Sequence, residues 1–163
     1  MQIESFKKYV TTENILLFLV VSTGALLGFA FVLEYFVDLV PCPLCIVQRF
    51  FYLFIGVSAL VGLLAKLGAR LVGGLVMLWS LVGGAVALRQ VWLQHFPTIT
   101  ESTGCAVSFG SFLDSALFAL GGRGNCGIVD WTFLTFSIAE WSLLWFGIFL
   151  GLGVYLMSKN SPR

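Results

Sequence analysis

The chain has 163 residues, 59% of them hydrophobic and 10% charged, with a formal net charge of +1 and a mean hydropathy of +0.99. This composition excludes an ordinary soluble domain and identifies an integral membrane protein. The near-neutral charge points to no partner, and no nucleic-acid ligand is expected.

Lys7-Lys8 precede an uncharged run from Asn14 to Leu33, 20 residues long. That is enough to cross a hydrocarbon core of about 30 Å. The run is too long for a signal-peptide core and no A-x-A-like site follows it, so it reads as an uncleaved first span. A short outer loop, Glu34 to Pro41, leads to a second run, Phe50 to Ala65, of 16 residues, which reaches spanning length once Ile46 to Arg49 join its outer end. An inner turn at Lys66 to Arg70 separates it from a third run, Leu71 to Leu88, of 18 residues. After a long outer loop, a fourth run of 18 residues extends from Trp141 to Ser158. The predicted spans are therefore about 14–34, 46–65, 71–89 and 141–158, with outer loops at about 35–45 and 90–140. They belong to one transmembrane domain covering 1–163. The expected fold class is an all-α four-helix transmembrane bundle, because backbone polar groups in lipid must be satisfied within each helix. Gly24 and Gly28, then Gly73, Gly74, Gly83 and Gly84, and finally Gly147, Gly151 and Gly153 offer small faces for close helix contact.

Within the long loop, Phe109, Phe112, Leu113, Ala116, Leu117 and Leu120 recur at three- and four-residue spacing until Gly121-Gly122. This predicts a short amphipathic helix at the membrane surface. Four spans put both termini on one side. Lys7, Lys8, Lys66, Arg70, Lys159 and Arg163 share that side, against Arg49, Arg89 and Arg123 on the other. The positive-inside rule makes the first group cytoplasmic. All four cysteines then face an exterior compartment, a bacterial periplasm or its equivalent, that tolerates disulfides.

Those cysteines form a tight pair, Cys42 and Cys45 in Pro41-Cys42-Pro43-Leu44-Cys45, and a loose one, Cys105 and Cys126, separated by 20 residues. The tight pair opens the second span, where the partial positive charge of a helix N-terminus favours a thiolate. Arg49 lies four residues after Cys45 on the same helical face, placed to stabilise an anion at Cys45 or on a bound ligand. An arginine at this depth is a functional candidate, although it would also reach the headgroups by snorkelling. A metal is the rival reading of C-P-x-C, but a closed site needs four well-placed ligands, and the second pair lacks tight spacing. The histidine, His95, stands isolated, and no metal is assigned. Cys105 and Cys126 read either as a structural staple, worth about 3 kcal/mol by loop entropy, or as an exchangeable bridge. Thr103-Gly104, Gly121-Gly122-Arg123-Gly124-Asn125 and Gly127 favour exchange, by setting the bridge in flexible, exposed segments.

Pro41-Cys42-Pro43-Leu44-Cys45-Ile46, Gln48-Arg49, the four spans and the second cysteine pair in a long outer loop together resemble the disulfide bond formation protein DsbB family. Gln94-His95-Phe96-Pro97, Asp130-Trp131-Thr132-Phe133-Leu134 and Glu140-Trp141 extend the likeness over nearly the whole chain. The chain departs from the pattern at Ala139, where the family often carries proline, and at Gln90, where some members have histidine. The resemblance leaves open whether Arg89, Gln90 or His95 lines a quinone pocket.

The resemblance implies a quinone-dependent thiol oxidase of the bacterial inner membrane that reoxidises a DsbA-like, thioredoxin-fold periplasmic partner and passes electrons to ubiquinone or menaquinone. By this mapping Cys105 receives the partner's thiolate, with Cys126 as its loop companion, and Cys42 and Cys45 reoxidise that pair. Cys45 faces the quinone, and Arg49 stabilises negative charge on the quinone oxygen. An interloop pairing of Cys42 or Cys45 with Cys105 is an expected intermediate. A DsbA-like partner is itself a strong oxidant, near about −120 mV, so a more oxidising acceptor must drive the cycle. The alternatives are a paralogue serving a dedicated secreted partner and a structural or assembly protein whose two disulfides only staple its loops.

Overall fold

The computed structural model describes residues 11–39, 41–96, 126–129 and 131–159. The amphipathic helix expected over 109–120, Cys105, and the charged residues Lys7, Lys8, Arg123 and Arg163 lie outside the described residues.

Thr11 opens the first helix, α1 (Thr12–Phe36), its side chain accepting the Asn14 backbone N–H at 3.3 Å. At the far end Asp38 turns left-handed at φ 55°, a conformation aspartate tolerates, and the Leu39 N–H returns to the Leu33 carbonyl at 3.3 Å. The second helix, α2 (Pro43–Leu64), runs back antiparallel and ends at a tight turn where Lys66 is left-handed and the Leu67 N–H bonds to the Gly62 carbonyl. The third, α3 (Ala69–His95), is the longest at 27 residues. A two-stranded hairpin, β1 (Thr132–Phe133) and β2 (Phe136–Ser137), then feeds α4 (Ile138–Ser158). Ser137 caps α4 through a full capping box: its hydroxyl accepts the Glu140 N–H, and the Glu140 carboxylate accepts the Ser137 N–H at 2.7 Å.

Among the described residues, all four helices are long and apolar enough to cross a membrane. At 1.5 Å per residue even the 21 residues of α4 reach about 31 Å. Leu17, Val21, Val57, Leu64, Leu71, Leu81, Leu144 and Val154 all point outward and exposed, as lipid-facing side chains do. The expected four-helix membrane bundle is thus the architecture observed.

Packing runs in a chain from α1 to α2 to α3 to α4, with the closest association between α3 and α4 and only slight contact between α1 and α4. Leu16, Leu19, Ile55, Ala59, Val72, Val76, Phe146, Phe149 and Leu156 form the core. Small residues decide the α3–α4 approach. A Cβ on Gly73 would sit 2.9 Å from the Gly153 carbonyl oxygen, and one on Gly153 would sit 2.9 Å from the Met77 nitrogen. Gly24, Gly28, Gly147 and Gly151, expected to serve the same purpose, have nothing within 4 Å of such a Cβ. Their faces look away from neighbouring helices.

The antiparallel order gathers Lys66, Arg70 and Lys159 at one end of the bundle. Glu34, Cys42, Gln90 and Glu140 gather at the other. The hairpin was not expected from the sequence. Its two-residue turn puts Leu134 at φ 51° and Thr135 at φ 70°. Hairpin turns of this kind normally carry Asn-Gly or Asp-Gly, so the usual signal was missing.

Candidate functional site

Cys42 is the N-cap of α2: its sulfur accepts the Cys45 backbone N–H at 3.3 Å, and Pro43, which has no N–H to satisfy, fills the first helical position. A single turn therefore holds both sulfurs at the positive end of the helix dipole, 2.9 Å apart. An S–S bond measures about 2.05 Å, so closing the pair needs roughly 1 Å of sulfur movement. Both are free thiols. Cys42 donates its S–H to Cys45, and that bond, reinforced by burial, holds the Cys42 thiol well above the ordinary thiol range.

Two buried glutamines on different helices stand beside this pair, and one of them touches the sulfurs. Gln90 of α3 donates through Nε2 to Cys45 Sγ at 3.2 Å and to Cys42 Sγ at 3.4 Å. Its Oε1 accepts from Gln48 Nε2 of α2 at 2.7 Å. Each is only 4% exposed.

The thiols open on a cavity of about 350 Å³ among α1, α2, α3, the 126–129 segment, the hairpin and α4. Leu26, Leu27, Phe29 and Leu33 of α1 line one side, and Trp141 and Trp145 of α4 line another, while Arg49, Gln48, Gln90 and Gln94 supply polar groups. A mostly apolar hollow with a few convergent donors is the usual form of a small-molecule site. Arg49 is held in it by three contacts. It forms an ion pair with Glu34, donates to the Ala30 carbonyl at 3.3 Å, and lies 5.4 Å from the centre of the Phe31 ring. Arg49 therefore does not snorkel free, because α1 supplies a carboxylate and a ring to fix it. Tyr52, one turn further along α2, stacks on Phe146 at 4.4 Å and hydrogen-bonds Ser142, closing the cavity floor.

The hairpin and the start of α4 close the other side. Trp141 Nε1 donates to the Phe133 carbonyl at 3.0 Å, Ser137 Oγ donates to Gln94 Oε1 at 2.9 Å, and Trp131 meets Phe29 edge-on. Of Arg89, Gln90 and His95, Gln90 lines the cavity and the other two do not. His95 instead bonds the Val91 carbonyl and approaches Glu140 at 4.0 Å.

Cys126 departs from the sequence expectation. It is disulfide-bonded, but it is 1% exposed and packs in one apolar cluster with Cys42, Leu44, Val86 and Leu93. The glycines around it suggested an exposed, mobile bridge. They instead accompany a sulfur tucked onto α2 and α3. The structure thus brings Cys42, Cys45, Arg49 and Cys126 to one end of the bundle, while Cys105 lies outside the described residues. Glu34 was not singled out as a site residue, nor were Tyr52, Trp141 and Trp145. For Glu34 a signal existed: an arginine inside a span calls for a carboxylate at the same depth.

The sequence model of the family described as "Disulfide bond formation protein DsbB" matches residues 12–156. A protein of Azoarcus sp. (strain BH72) named "Disulfide bond formation protein B" is 43% identical over 147 residues, covering 86% of this chain and 89% of the relative. "Disulfide bond formation protein B 1" of Pseudomonas aeruginosa (strain PAO1) is 40% identical over 139 residues, 80% and 85% of the two chains. A "Disulfide bond formation protein B" of Nitrosospira multiformis is 34% identical over 155 residues, 89% and 90% of the two. No solved structure matches the chain significantly.

Proposed function

We propose that this chain, which belongs to the DsbB family of disulfide bond formation proteins, is a quinone-coupled thiol oxidase of a bacterial inner membrane that reoxidises a DsbA-like, thioredoxin-fold partner. Its termini are cytoplasmic and its cysteines periplasmic, in line with Lys66, Arg70 and Lys159 at the end opposite Cys42 and Cys45. The observation that carries the reading is the free dithiol Cys42/Cys45 on the wall of an apolar cavity that also holds Arg49.

In the first exchange the partner's thiolate attacks Cys105 and expels Cys126 as a thiolate. The partner's second thiolate then releases the partner in its disulfide form, leaving Cys105 and Cys126 as a dithiol. Cys126 lies beside Cys42 in a shared apolar cluster. That placement favours the second exchange, in which the loop dithiol closes to its disulfide again and the Cys42–Cys45 disulfide is opened. The described state, with Cys42 and Cys45 as thiols and Cys126 in a disulfide, corresponds to the dithiol awaiting reoxidation.

The cavity suits a quinone in size and in chemistry: apolar and aromatic walls for a flat ring, and Arg49, Gln48 and Gln94 as groups able to meet its carbonyls. A bound ubiquinone or menaquinone supplies an acceptor for two electrons and two protons. The chain's own part is to hold the reacting sulfur and the charge. The α2 N-terminus and Cys42 hold Cys45 in place, its sulfur 2.9 Å from Cys42 Sγ. Arg49 places a positive charge in the hollow, and Glu34 and Phe31 keep it there. Trp141, Trp145 and Tyr52 give the hollow apolar aromatic walls.

Quinone reduction by the purified chain, followed optically with a reduced DsbA-like substrate, tests the reading. Turnover is expected in the wild type and lost in Cys45→Ser and Cys105→Ser. A wild type that consumes no quinone, or a cysteine variant that keeps turning over, would reduce the disulfides to staples.

A further inference from the structure

We infer that Gln90 and Gln48 form a positioning device for the dithiol: the Gln90 amide donates to both sulfurs and favours a thiolate at Cys45, and Gln48 fixes which way that amide points. The inference rests on the reading that Cys42 and Cys45 are redox-active.

A glutamine side chain presents a donor and an acceptor that differ by a half-turn of the amide. Facing a sulfur with its oxygen, it would oppose a negative charge. Facing it with NH2, it stabilises one. At Gln90 the choice is made by Gln48, whose Nε2 occupies the Gln90 oxygen at 2.7 Å and leaves the Gln90 NH2 directed at the sulfurs, 3.2 Å from Cys45 and 3.4 Å from Cys42. The Gln90 oxygen is also 3.7 Å from Cys45 Sγ, a longer contact available to the protonated thiol. Burial of both amides removes water as a competing partner, so the arrangement holds one orientation.

The location matters as much as the contact. Gln90 belongs to α3 and the cysteines to the first turn of α2, so the amide ties sulfur chemistry to the packing of two helices. Among the described residues, the titratable and charged groups that share this cavity with Cys45 are Cys42, at the N-cap of α2, Arg49 and Tyr52 of α2, and Glu34 of α1. Among the described residues, the α3 lining is the neutral Gln90 and Gln94, and the α4 lining, Ile138, Trp141, Ser142 and Trp145, is neutral as well. An amide adds a donor to this set without adding a proton that can leave. Gln90 therefore acts on the sulfurs without titrating itself.

The test is the pH profile of iodoacetamide alkylation at Cys45 in the reduced full-length chain, read peptide by peptide by mass spectrometry, with no quinone present. Gln90→Met keeps the side-chain length and removes the donor, and its Cys45 midpoint is expected to rise by about one pH unit. Gln48→Met leaves the donor but frees the amide to turn, and a smaller rise is expected. The double variant Gln48→Met/Gln90→Met leaves no buried donor unpaired, which guards against a folding defect. A midpoint unmoved in the double variant, with wild-type elution and melting, would overturn the inference. Quinone turnover of the wild type separates the two claims. A chain that reduces no quinone but shows a Gln90-dependent midpoint refutes the oxidase reading alone, whereas normal turnover with a Gln90-independent midpoint refutes the positioning role alone.

Discussion

The two ends of the bundle are built from the same four helices and are used in opposite ways. At the Lys66 end, α3 and α4 press together backbone to backbone through Gly73 and Gly153, with Val72 and Leu156 fully buried beside them. At the Cys42 end the helices part around a cavity of about 350 Å³, and buried polar side chains, Gln48, Gln90, Ser137 and Ser142, sit among the aliphatic ones. Close packing makes the first end a clamp. The second end can then hold an open hollow and a thiol pair without the helices collapsing onto it.

Mutations at each end should therefore separate stability from chemistry. The largest expected effect is on activity: Cys42→Ser or Cys45→Ser should abolish quinone turnover while leaving the melting temperature close to the wild type, checked by optical assay and thermal unfolding in the same detergent. Arg49→Met should weaken quinone binding by roughly tenfold to a hundredfold, the value of a hydrogen bond to a charged group. The readout is quenching of the cavity tryptophans Trp131, Trp141 and Trp145. At the opposite end Gly73→Ala forces a Cβ against the Gly153 carbonyl oxygen and should cost about 1–3 kcal/mol of stability. Turnover per folded molecule should stay at the wild-type level, and a loss there would mean that the two ends are not independent. The smallest effect is expected from Glu34→Gln. The Arg49–Glu34 pair is part-exposed, with side chains 21% and 27% accessible, so quinone affinity should change by less than about fivefold.

Much of this contrast was readable in the sequence, for identifiable reasons. Uncharged runs of 16 to 20 residues mark membrane helices because lipid tolerates so few alternatives, and the Cys42/Cys45 spacing places both sulfurs on one helical turn wherever the helix begins. Arg49 was visible as a charge within a span. What stayed hidden depends on contacts between segments distant in sequence. The Gln48–Gln90 bond joins residues 42 apart, and Arg49 meets Glu34 across the α1–α2 turn. Nothing local says that two glutamines will meet. The hairpin escaped because Leu134-Thr135 is a poor composition for its turn, and the burial of Cys126 escaped because flanking glycines look the same whether a loop waves in solvent or folds down onto a helix.

The most direct test of the claim that electrons leave through the cavity end is a single-turnover reaction. The purified chain, with Cys42 and Cys45 reduced and no partner present, is mixed anaerobically with one equivalent of quinone, and quinol formation and free thiols are counted together. One quinol per chain, matched by loss of the two thiols of Cys42 and Cys45, is the predicted result. Quinone left unreduced with both thiols still free to alkylate would contradict it.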